Sequence, residues 1–116
     1  MHPRRADVIL SAAIVAKLEV FFDCSSPWTY LALAEVGDLA RRTGAELIWR
    51  PILVGGIFNQ VNKQVYENRA APDSPKHRYM LKDLQGRARQ RGVKINWPSV
   101  FPGNAVKAQR ACGAAL

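Results

Sequence analysis

The residues best suited to chemistry gather in one short stretch, Asp23-Cys-Ser-Ser-Pro-Trp-Thr-Tyr30. Ser26 is the leading candidate. Ser-Pro is a helix-start pair: the serine oxygen can accept a bond from an otherwise unpartnered backbone N–H, and proline suits the first helical position because it has no N–H to leave unpaired. The preceding run, Lys17-Leu-Glu-Val-Phe-Phe-Asp23, is β-branched and aromatic and reads as a strand buried on both faces. Ser26 therefore falls at the junction of a strand end and a helix start, where open α/β sheets place ligands. The free N–H groups and dipole of such a helix favour an anion and lower the pKa of a thiol held nearby. A hydroxyl there can donate to a bound thiolate. The plain alternative is a structural cap, as Ser74-Pro75 also suggests.

Cys24 is the competing nucleophile, two residues earlier and without a CxxC partner. Its ordinary reading is a small buried thiol. The second cysteine, Cys112, is distant in sequence, and only coordinates can show whether the two meet. So few cysteines indicate no disulfide framework and fit a reducing cytoplasm. Gly55-Gly56 lacks phosphate-loop spacing and reads as a turn. His2 and His77 are isolated, so no metal site is expected. Trp28 and Tyr30 read as core and pocket wall rather than a stacking platform for bases.

These residues need elements to position them. Trp28 to Arg42 places Trp28, Leu31, Leu39 and several alanines at helical spacing, and Gly44 stops the helix. Ala45 to Ile52 is a second strand, with Pro51 tolerated at its end, so the start of the chain is a βαβ unit with a parallel pair. Residues 57 to 73 read as a loop with little periodicity. Ser74-Pro75 opens a helix that runs to about Arg91, with Tyr79 or Met80, Leu84 and Ala88 inward and Gly92 as its stop. Gly86 within it costs about 1 kcal/mol relative to alanine. Val93 to Pro98 is extended, since Pro98 disfavours a helical Trp97. Asn104 to Leu116 is helix-like.

Length and charge bound the rest. The 116 residues hold one domain, and an apolar fraction of 48% supports a buried core. A net charge of +8 invites an anionic partner. Its basic residues are scattered, however, without any nucleic-acid-binding signature. No nucleic-acid partner is expected, and no apolar run is long enough to span a membrane. The first sixteen residues faintly resemble a secretory signal but read better as an N-terminal extension, because Lys17 begins the folded pattern.

Phe21-Phe-Asp-Cys-Ser-Ser-Pro-Trp-Thr-Tyr-Leu-Ala32 resembles the opening of the 2-hydroxychromene-2-carboxylate isomerases and kappa-class glutathione transferases, in the DsbA-like branch of thioredoxin folds. Trp49 to Ile57, Tyr79 to Leu84 and Phe101 to Asn104 resemble further family segments in the expected order. The resemblance implies an α/β, thioredoxin-like fold, with a βαβ unit over residues 17–54 and the start of a helical insertion over 55–116. Family members are longer, so it also implies an N-terminal portion. It implies glutathione as cofactor, its thiolate stabilised by Ser26 and adding reversibly to a conjugated substrate. Trp28 and Asn62 would join Ser26 in holding glutathione, and Trp97 and Asn104 would line the pocket of a small acidic aromatic substrate. A homodimer is compatible with this reading. The alternatives are a kappa-type transferase and, from another class, a non-catalytic remnant acting as a basic interaction module. A disulfide oxidoreductase is disfavoured, because Ser26 and Thr29 occupy both positions of the relatives' CxxC.

Overall fold

A computed structural model describes residues 14–116. The extension expected over residues 1–16, and His2 with it, lies largely outside the described residues. The element order is β1 (Lys17–Phe22), α1 (Pro27–Thr43), β2 (Glu46–Pro51), α2 (Val54–Val61), α3 (Gln64–Ala70), α4 (Pro75–Gln90) and α5 (Val106–Ala115).

The βαβ unit forms as its residues dictate. β1 and β2 pair in parallel with Lys17 opposite Glu46 and Phe22 opposite Pro51, so proline closes the strand where a missing N–H costs least. Ser26 caps α1, its Oγ accepting from the Thr29 N–H at 3.3 Å. Gly44 ends the helix at φ 66°, a left-handed conformation that favours glycine. Ser74 repeats the capping device on α4, accepting from the His77 N–H at 3.2 Å. Gly92 follows that helix at φ 65°.

The core is small. Leu31 of α1 meets Leu84 and Ala88 of α4, with Val93 and Ile95 packed against them. The small Ala88 side chain lets the two helices approach, and Arg91 at the C-cap of α4 bridges to Glu35 in the middle of α1 at 2.8 Å. On the sheet, Phe22 meets Trp49 edge-to-face with centroids 5.7 Å apart.

Three expectations need correction. β1 is not buried on both faces: burial alternates, with Phe22 buried and Phe21 62% exposed, because the described sheet has only two strands. Residues 57 to 73 are not a loop, since they carry most of α2 and all of α3, and Gly55-Gly56 lies in the first turn of α2 rather than in a free turn. The cause is tertiary. Leu53, at the N-cap, provides no side-chain bond, but the Asp23 carboxylate from the end of β1 accepts the Val54 N–H at 2.8 Å. A carboxylate there also opposes the positive end of the helix dipole. Finally, Leu39, Tyr79, Trp28 and Met80 are exposed, leaving Leu31, Ala40, Leu84 and Ala88 as the inward positions of the two helices.

Candidate functional site

β1 delivers Asp23 to the turn before α1 with its side chain almost wholly buried. One carboxylate oxygen accepts from the Ser25 N–H at 2.8 Å and the Ser25 hydroxyl at 2.7 Å, and the other accepts from the Val54 N–H. Burial alone would raise this carboxyl's pKa. The Ser25 and Val54 bonds outweigh that and hold it below the ordinary carboxylate range. Asp23 is thus an ionised strut that fixes the β1–α1 turn and the start of α2 together.

From that turn Ser26 opens onto two clefts. One, of about 560 Å³, is lined by Cys24, Ser26, Tyr30, Lys94, Trp97 and Asn104 among others. The second, about 610 Å³ and more apolar, is lined by Ser26, Trp28, Phe58, Arg69, Met80 and Trp97 among others. Ser26, Pro27, Trp97 and Phe101 belong to both, so the serine sits on the ridge between them. The Trp97 and Phe101 rings pack edge-to-face at 5.1 Å, and the Arg69 guanidinium lies 5.9 Å from the Phe101 centroid.

A capping serine keeps its donor. The oxygen accepts from the Thr29 N–H, while its O–H donates to no acceptor among the described residues and can hydrogen-bond a ligand atom. The structural and functional readings of Ser26 are therefore compatible.

The other expected site residues divide. Trp28 lines the more apolar cleft, Trp97 lines both, and Asn104 lines the Cys24 side, where its Oδ1 also accepts from the Val106 N–H at 3.1 Å. Asn62 is not brought to Ser26: it ends α2, exposed, and lines neither cleft. His77 lines the apolar cleft with its Nδ1 buried and without a hydrogen-bond partner. Cys24 is exposed, against the expectation of a small buried thiol.

Sequence reasoning missed two groups. Asp23 carried a local signal, since Asp followed by Ser-Ser at a strand end favours an Asx turn. Gln109 carried none. It is 6% exposed, and its amide donates to the Phe22 and Ile52 carbonyls at 2.7 Å each while its oxygen accepts the Cys24 N–H at 3.2 Å. One side chain from α5 thus ties off the ends of both strands.

Among the described residues no group of His, Cys, Asp and Glu could hold a metal ion, and no helix is long and apolar enough to cross a membrane. Comparison with known proteins matches residues 17–116 to the DSBA-like thioredoxin domain. A 2-hydroxychromene-2-carboxylate isomerase of Sphingobium xenophagum is 32% identical, over 72% of this chain and 42% of its own length. The chain therefore spans less than half of that curated relative. No solved structure matches at a significant level.

Proposed function

The chain belongs to the DsbA-like thioredoxin domain family, and from that premise we propose that it forms the Ser26 side of a glutathione-dependent isomerase site for a small acidic aromatic substrate. The observation that carries this reading is the position of the Ser26 hydroxyl, its O–H donating to no acceptor among the described residues, at the head of α1 and on the ridge between two clefts. The residues present fit a tripeptide thiol on one side and a ring-bearing acid on the other.

Glutathione, when bound, supplies a sulfur nucleophile able to add to and leave a conjugated carbon–carbon double bond. This chain's part is to prepare its surroundings. Ser26 donates a hydrogen bond from its hydroxyl to the sulfur, and the positive end of α1 favours the ionised form over the thiol. Asp23 holds the turn so that the hydroxyl stays at that point. Trp28, Phe58, Met80 and Trp97 give the apolar cleft aromatic and thioether walls that exclude water from a planar ring. Arg69 on that cleft and Lys94 on the other provide cations for carboxylates. Trp97, at the boundary, separates the two halves of the site.

The test is calorimetric titration of glutathione into the chain and into Ser26→Ala and Ser26→Asp, with circular dichroism to confirm folding. Aspartate keeps the capping oxygen but repels a thiolate, so it separates capping from thiol stabilisation. Binding by the parent that both variants lose supports the reading. Equal binding by all three refutes it. Turnover of 2-hydroxychromene-2-carboxylate that requires glutathione would then establish the reaction.

A further inference from the structure

Cys24 and Cys112 are 88 positions apart in sequence, yet their Sγ atoms lie 4.0 Å apart, close enough to share a hydrogen bond. A side-chain tie makes this approach specific. Gln109 accepts the backbone N–H of Cys24 itself and donates to the carbonyls of Phe22 and Ile52, while almost fully buried. Cys112 lies three residues further along the same helix, one turn on and on the same face, so Gln109 also sets Cys112 over Cys24. α5 is packed closely here: a Cβ added to Gly113 would lie 3.8 Å from the Pro51 ring. Cys24 is exposed and lines the same cleft as Ser26, whereas Cys112 is half-buried behind it.

We propose that Cys24 and Cys112 form a dithiol–disulfide couple that exchanges with low-molecular-weight disulfides entering the cleft beside Ser26. The roles follow from exposure. The Cys24 thiolate attacks one sulfur of a small disulfide RSSR, whose S–S bond breaks as a Cys24–S–SR bond forms, and the departing RS⁻ takes up the proton that Cys24 released. The Cys112 thiolate then attacks the Cys24 sulfur, and the second RS⁻ leaves with the Cys112 proton. Two protein thiols are oxidised by two electrons and RSSR is reduced to two RSH. The sulfurs must close from 4.0 Å to a bond of about 2 Å, a movement within reach of side-chain rotation. Partial desolvation of the thiol on the cleft wall raises the Cys24 pKa, and the neighbouring Cys112 and Asp23 add to the effect, so exchange accelerates toward alkaline pH.

The couple does not depend on glutathione binding at Ser26, so its test uses 2-hydroxyethyl disulfide, which lacks the tripeptide. The reduced chain, without air, is treated with this reagent, and free thiols and linked peptides are followed by mass spectrometry. The expected result is loss of both thiols with a Cys24–Cys112 peptide, the closing step from the mixed disulfide being faster than in the urea-unfolded chain. Cys112→Ser should stop at a stable mixed disulfide on Cys24, and Cys24→Ser should react more slowly than Cys112→Ser. Separate mixed disulfides on both cysteines, chains linked to one another, or a closing step no faster than in urea would overturn the proposal. If Cys24→Ser fails to fold, Cys24→Ala and the Cys112→Ser endpoint serve in its place.

Discussion

Asp23 accepts three hydrogen bonds while almost fully buried, and its ionised form depends on them. Asp23→Asn exchanges one acceptor oxygen for a donor that faces an N–H or hydroxyl already donating. We expect a loss of about 1–3 kcal/mol in urea unfolding, together with weaker glutathione binding because the Ser26 turn loosens. The pH dependence has a definite sign. The folded-state pKa of Asp23 lies below its unfolded value, so its stabilisation is complete above the unfolded pKa, near 4, and is lost as pH falls through the folded value. Stability of the parent in urea should therefore fall as the pH is lowered below about 4, and Asp23→Asn should flatten that dependence. At this scale the Ser26 cap was legible, because Ser-Pro at a strand end is a local pattern. Gln109 and the contact between the two cysteines were not, because each depends on α5 returning to the strand ends across more than eighty residues.

Elements that carry their own start and stop signals were legible: α1 between Ser26 and Gly44, and α4 between Ser74 and Gly92. α2 was hidden because its cap is supplied by Asp23 from β1, and its two glycines read locally as a break. Tyr66 then ties α3 to α2, its hydroxyl bonding to Asn59 at 2.6 Å. Gly86 within α4 tests the helix directly. A Cβ there would meet nothing closer than an Arg89 guanidinium nitrogen at 3.9 Å. Gly86→Ala should therefore stabilise the chain by up to about 1 kcal/mol, read as a higher melting temperature, with glutathione binding unchanged. Gly44→Ala, at positive φ, should destabilise by about 1 kcal/mol in the same measurement.

Among the described residues Phe22, Leu31, Ala40, Leu84 and Ala88 are the buried hydrophobic ones, while Phe21, Val61, Tyr79 and Val100 are mostly exposed. A parallel pair of strands with so small a core leaves apolar surface to be covered. We expect concentration-dependent association, seen in sedimentation as a rising weight-average mass; a monomer at all concentrations would contradict this. The family was legible from ordered motifs over residues 17–116, whereas the cleft was not, because α1, α3, α4 and the Trp97–Phe101 stretch meet only in three dimensions. Ser26 as hydrogen-bond donor to a bound thiolate is tested most directly by the ultraviolet thiolate absorbance of bound glutathione as a function of pH. The signal is read on the Cys24→Ser, Cys112→Ser chain so that only glutathione contributes. Bound glutathione should ionise at least about 1 pH unit below the free thiol, and the shift should disappear in Ser26→Ala. Bound glutathione that titrates like the free thiol, or a shift that survives Ser26→Ala, would contradict that role.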